Sequence, residues 1–187
     1  MKCRVCNYEY PKPEIVDGVA YFVCSECGGI YEVKGYQPQT KEQLIEKVEA
    51  AFSDQVLGDG IGLFEAQALD DYESEEVQTK QREKDEKIYW RSIAYEVLQS
   101  CHSSLSFFDA NGMRFHLPAY IVGSIKGKVD DPIFHLTHLD DHAESKLVTL
   151  TNAQKNVVIE YLTWCLTEDE YQFDCEDIVR ALNEFWA

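Results

Sequence analysis

The chain has 187 residues, 34 of them acidic and 17 basic, for a formal net charge of −17. That excess of carboxylates excludes direct binding to nucleic acid or an anionic membrane, because phosphate contacts need clustered lysine and arginine. An apolar fraction of 45 % suits a globular protein, no apolar run is long enough to span a bilayer, and the first residues lead into a cysteine motif rather than an apolar signal region, so a cytoplasmic protein is expected.

Four of the seven cysteines fall in the first 27 residues, as Cys3-x2-Cys6 and Cys24-x2-Cys27 with 17 residues between the pairs. This is zinc-site spacing: two residues between thiolates let each pair face one ion, and two such knuckles complete a tetrahedron. Asn7 and Gly28-Gly29 follow the pairs, where a knuckle needs a residue near the left-handed region. Residues 19–23 and 30–33 are strand-like, so the expectation for 1–36 is a small β zinc ribbon. Four thiolates fill the coordination sphere, so the one Zn2+ is structural and holds together a module too small to fold alone. Paired disulfides would need an exporting context, and a redox C-x-x-C would be a single pair at a helix start. Cys101, Cys165 and Cys175 sit among apolar neighbours and read as core residues.

Residues 34–40 read as a linker, and 41–187 as an acidic, mainly α-helical domain. Thr40 and Gln43 form a capping box that opens a helix over 41–52, with Leu44, Ile45, Val48 and Phe52 on its buried face. A glycine-rich loop at Gly58, Gly60 and Gly62 precedes a short helix over 63–71. Residues 70–86 are dominated by charge and read as an exposed helix or a connection. Ile88, Tyr89, Ile93, Val97, Leu98 and Cys101 recur at helical spacing and predict one helix over 88–102. Asn111-Gly112 reads as a turn, and Pro118 as the first turn of the next helix. Residues 126–145 look irregular. Thr151 and Gln154 open a helix to about residue 166, with Val157, Val158, Tyr161, Leu162 and Cys165 inward. A last helix is expected over 174–185, with Ile178, Val179, Leu182 and Phe185 inward.

Catalytic signatures are sparse. His135, His138 and His142 lie beside Asp140 and Asp141 and form either a second metal site or a set of loop histidines. The glycine-rich loop lacks the Lys-Ser/Thr of a phosphate loop, and no nucleophile elbow or H-E-x-x-H is present, so a binding protein is expected rather than an enzyme. The acids are unevenly spread. Residues 1–36 carry a net −1 and the remaining 151 carry −16, with nine acids against three bases over 65–86. Such a surface speeds encounter with a basic protein, and Asp70, Asp71, Glu73, Glu75 and Glu76 are the candidate contact residues.

The segment 105–120, LSFFDANGMRFHLPAY, resembles a family of small uncharacterised bacterial proteins marked by Arg-Phe-aromatic-Leu-Pro-Ala-Tyr after a Phe-rich stretch. Leu150, Thr151 and Gln154 with the following helix are similar to that family's C-terminal part, so the likeness covers 42–161 and leaves the ribbon as an added module. His116 stands where an aromatic ring is commoner. Phe115, Leu117, Tyr120 and Ile121 read as a core knot, with Arg114 paired to a local carboxylate. Proteins of this size and acidity are similar to immunity proteins, antidotes to antibacterial toxins delivered by secretion systems such as type VI. The resemblance implies a partner that is a basic toxin, nuclease-like, whose active site is occluded. The other readings are a zinc-ribbon adaptor in a transcription-related or other protein assembly and, behind it, a small hydrolase using the His135, His138 and His142 cluster.

Overall fold

The computed structural model describes residues 14–16, 19–24, 26–28, 30–33 and 39–186. At the N-terminal end, β1 (Glu14–Val16), β2 (Val19–Val23) and β3 (Ile30–Val33) form an antiparallel sheet in the order β1-β2-β3. The register pairs Ile15 with Ala20 and Phe22 with Tyr31. β2 and β3 occupy the two strand-like runs; β1 had no clear signal of its own. Between β2 and β3, the Gly28 N–H donates to the Cys24 carbonyl at 2.9 Å, and Gly28 has φ +67°, which only glycine adopts without strain.

The rest of the described chain is mainly helical. α1 (Lys41–Ala51) starts at a reciprocal capping box: Thr40 Oγ1 accepts from Gln43 N at 3.2 Å, and Gln43 Oε1 accepts from Thr40 N at 2.9 Å. α2 (Leu63–Asp70) and α3 (Glu75–Arg82) form a helical hairpin. α4 (Tyr95–Ser100) and α5 (Ser104–Phe107) are short. α6 (Ala110–Ile125) is the central helix, with α7 (Ile133–Thr137) and α8 (Asp141–Leu147) after it. α9 (Asn152–Cys165) repeats the capping box with Thr151 and Gln154, and α10 (Cys175–Ala181) runs into a π-helical segment, Leu182–Trp186. The inward stripe of α9 is buried as its spacing predicts, and so are Ile178, Val179 and Leu182. Phe185 is only partly buried.

α6 is buried on almost every side, and α1, α4 and α8 pack on it. A helix apolar all round belongs at the centre of a domain. Phe115, Leu117, Tyr120 and Ile121 are each at most 1 % exposed, and burying each such side chain contributes about 1.5–3 kcal/mol. The Tyr120 hydroxyl donates to the Cys101 carbonyl at 3.0 Å, so its polar tip is satisfied inside the core. Cys101, Cys165 and Cys175 are buried, and burial pushes all three thiols up.

Several expectations are corrected. The helix over 88–102 is not one helix. A 3-10 turn, Trp90–Ser92, is separated from α4 by extended residues at 93 and 94. Glu86 Oε1 accepts from the N–H groups of Lys87, Ile88 and Tyr89 and holds that stretch out of helical pairing. Ile88 and Tyr89 are 54 % and 69 % exposed, while Trp90 enters the core and donates to the Phe52 carbonyl at 2.9 Å. Asn111-Gly112 is no turn: it lies in the first turn of α6, capped by Asp109 Oδ1 accepting from Gly112 N at 2.8 Å. Gly112 answers a close approach, since a Cβ there would lie 2.3 Å from the Ile61 carbonyl oxygen. Pro118 is mid-helix, depriving the Arg114 carbonyl of its helical donor; burial around α6 offsets that cost. Residues 126–145 contain two helices, α7 and α8. Arg114 pairs with no carboxylate among the described residues: its Nε donates to Gln154 Oε1 at 3.0 Å.

Candidate functional site

The acidic residues expected from sequence to contact a partner sit at the tip of the α2–α3 hairpin. Asp71, Glu73, Glu75 and Glu76 are exposed and Asp70 is partly so. Two of them have local partners: Asp71 Oδ1 accepts from Gln67 Nε2 at 3.3 Å, and Glu76 meets Lys80 at 2.6 Å one turn on. Such an exposed i,i+4 pair contributes only about 0.3–0.5 kcal/mol. In their midst stands Tyr72. The Glu73 N–H donates to the Ala68 carbonyl and the Tyr72 N–H to the Leu69 carbonyl, which makes the end of α2 a Schellman motif. Tyr72 holds the left-handed position of that motif, φ +55°, where glycine is the ordinary residue. Its side chain is 94 % exposed, so no packing offsets a strain of about 1 kcal/mol. In the sequence Tyr72 is only an apolar group in a charged run. The available signal was an aromatic residue where a helix ends without glycine.

The base of the hairpin closes on the glycine-rich loop. Arg82 Nη1 donates to the Gly60 carbonyl at 2.8 Å and meets Glu65 Oε2 at 2.5 Å. Asp85 accepts from Phe64 N at 2.7 Å and Glu65 N at 3.4 Å, so the anion position at the start of α2 is filled by the protein's own carboxylate. Burial, opposed by those two N–H groups, raises the Asp85 carboxyl above its ordinary range. A Cβ on Gly62 would come within 2.0 Å of Asp85 Oδ2. Gly60 and Gly62 serve close packing and Gly58 a left-handed backbone (φ +57°), so the glycines of this loop have structural uses that do not require a phosphate.

The three histidines do not converge. His135 is half-buried, and burial first, then Lys146, pushes it down to about 4. His138 stacks on Phe134 at 4.5 Å, and its Nε2 lies 3.7 Å from Asp177 Oδ2. His142 is exposed. Among the described residues no three His, Cys, Asp or Glu side chains are placed to hold a metal. Of the zinc ligands expected from sequence, Cys24 is buried and Cys27 exposed; Cys3 and Cys6 lie outside the described residues.

A cleft of about 380 Å3 opens where α7 and the start of α8 face α10 and the π-helical segment. Its lining includes His138, Asp140, Glu144, Arg180, Glu184 and Phe185. Nothing local in the sequence joins these residues, which come from segments about 40 residues apart.

The resemblance segment meets its C-terminal counterpart inside the core. Gln154 Oε1 accepts from both Thr151 N and Arg114 Nε at 3.0 Å, and its Nε2 donates to the Ala51 carbonyl at 3.3 Å. His116 is wholly buried, stacked on Phe108 at 4.5 Å and edge-on to Phe115 at 4.9 Å, so it serves as the aromatic ring expected at that place. Its Nδ1 bonds the Gly112 carbonyl at 2.8 Å and its Nε2 has no partner, which makes Nδ1 the protonated nitrogen. Burial pushes it down to about 4. These motif residues are packing and bonding elements of the core.

No helix among the described residues is long and apolar enough to cross a membrane. No curated protein and no solved structure matches the chain. The profile of a family of unknown function, DUF6714, matches residues 40–187, from the N-cap of α1 to the last residue of the chain. The chain therefore belongs to that family.

Proposed function

We propose that the chain is a cytoplasmic immunity protein that binds a basic antibacterial toxin, nuclease-like, and occludes its active site without doing chemistry of its own. The observation that carries this reading is Tyr72: a nearly fully exposed aromatic ring, held at a conformational cost, at the centre of Asp70, Asp71, Glu73, Glu75 and Glu76. Strain kept at an exposed site argues for a role in contact, and tyrosine is enriched among the residues that dominate interface energies. The surrounding carboxylates would steer a positive, DNA-binding face toward it. The net −16 carried by the chain beyond residue 36 supports a basic partner over nucleic acid.

The N-terminal part is proposed to be a zinc ribbon in which Cys3, Cys6, Cys24 and Cys27 hold one structural Zn2+. The Gly28 geometry and the antiparallel strands support it. Co-expression with the product of the adjacent gene tests the functional reading. That product should be toxic alone, tolerated with this chain, and co-purified with it. A neighbour that is neither toxic nor co-purified removes the proposal. Salt-sensitive DNA or RNA binding by the full chain would instead favour the adaptor reading.

A further inference from the structure

We infer that the C-terminal cleft seats an arginine side chain of the partner protein. This rests on the immunity reading, which supplies the basic partner; the cleft adds where its surface is gripped. The volume, about 380 Å3, lies within the range of sites that enclose a ligand group. The charges of its lining are unevenly matched. Arg180 Nη2 lies 2.5 Å from Asp177 Oδ1, and His138 Nε2 faces the other oxygen of the same carboxylate, so both nitrogen groups are already answered. Glu144 and Glu184 form no ion pair with any described residue. Asp140 is held in place by its cap of α8, accepting from Ala143 N at 2.8 Å.

The remaining lining is Thr137, whose hydroxyl is spent on the Ile133 carbonyl, and the apolar Leu139, Ala181 and Phe185. Leu139 and Phe185 form walls, and the π-helical segment that carries Glu184 and Phe185 is pinned by Trp186 Nε1 donating to the Leu136 carbonyl at 2.9 Å. Two rings, His138 and Phe185, line the cleft, and His138 is backed by Phe134, which stacks on it at 4.5 Å. One side chain answers all of this. The arginine stem covers apolar walls, its planar fork bonds two carboxylates, and its face stacks on an aromatic ring. Lysine lacks the fork and the stacking face. A phosphate would meet three carboxylates.

The test is NMR on the full-length 15N-labelled protein, titrated with N-acetyl-arginine methylamide and, in parallel, its neutral isostere N-acetyl-citrulline methylamide. The arginine probe should give saturable shifts at Leu139, Glu144 and Glu184, citrulline none, and Glu144→Gln/Glu184→Gln should weaken binding about tenfold. Both glutamates are exposed, so the double variant keeps its spectrum elsewhere and folding does not confound the result. Shifts confined to 70–76, equal responses to both probes, or no saturable response would overturn the assignment. The co-purification test is independent of it. A co-purified toxin with no arginine response sinks the cleft alone; an arginine response with no cognate toxin sinks the immunity reading alone.

Discussion

Replacing His116 by phenylalanine should abolish a large part of the protein's acid sensitivity. The imidazole is fully buried between Phe108 and Phe115 with Nε2 unpartnered, so the native fold accepts only its neutral form until about pH 4. In the unfolded chain it protonates near its ordinary value of 6.5. Because the folded value is depressed for a base, the stability is fully present above pH 6.5. It is lost as pH falls toward 4, the interval in which the unfolded state binds more protons. The depression corresponds to a loss of about 2 kcal/mol at pH 5 and about 3 kcal/mol below pH 4, a large share of a domain's stability. Urea unfolding of both full-length proteins at pH 7.5 and pH 5 measures it. His116→Phe should match the wild type within about 1 kcal/mol at pH 7.5, since the ring stacking is kept, and exceed it by about 2 kcal/mol at pH 5. His135, which is also depressed, and the N-terminal cysteines are common to both proteins and cancel in the difference. Equal losses in the two proteins between these pH values would refute the reasoning.

Tyr72→Gly should raise stability by about 0.5–1 kcal/mol, read as a higher urea midpoint, while weakening toxin capture in the co-purification assay. Destabilisation would show that the left-handed residue is not strained. Gln154→Leu breaks the α9 capping box and strands Arg114 and the Ala51 carbonyl, and should cost about 2–4 kcal/mol in the same assay. Gly62→Ala forces a methyl group onto the Asp85 carboxylate and should cost about 2 kcal/mol or more, with the loss visible as early thermal unfolding. Metal analysis should find one zinc per chain and none in Cys24→Ser; a second equivalent would reopen the histidine cluster.

What could be read in advance was local. Thr40 with Gln43 and Thr151 with Gln154 place their own helix starts, because each box is made within four residues. The apolar stripe of α9 is equally self-contained. The failures share a different cause: the deciding partner was distant. Helical spacing at Ile88 and Tyr89 was overruled by Trp90 reaching the Phe52 carbonyl, 38 residues upstream. Gly112 looked like a turn because Ile61, which crowds it, is some fifty residues upstream. The same limit applies to the site. The acidic run could be named from sequence, whereas the left-handed backbone of Tyr72 and the pairing of the cleft charges exist only in three dimensions.

Gln154 has a further consequence for how the chain reaches its native state. One buried amide ties residues 51, 114 and 154, so three segments spread over a hundred residues must be in place before it is satisfied. No early fragment of the helical part can close that junction by itself, and loop closure must precede the reward. The helical part is therefore expected to fold late in synthesis and to open as one unit. An antidote built this way would be inactive while still nascent and would resist piecemeal degradation once complete.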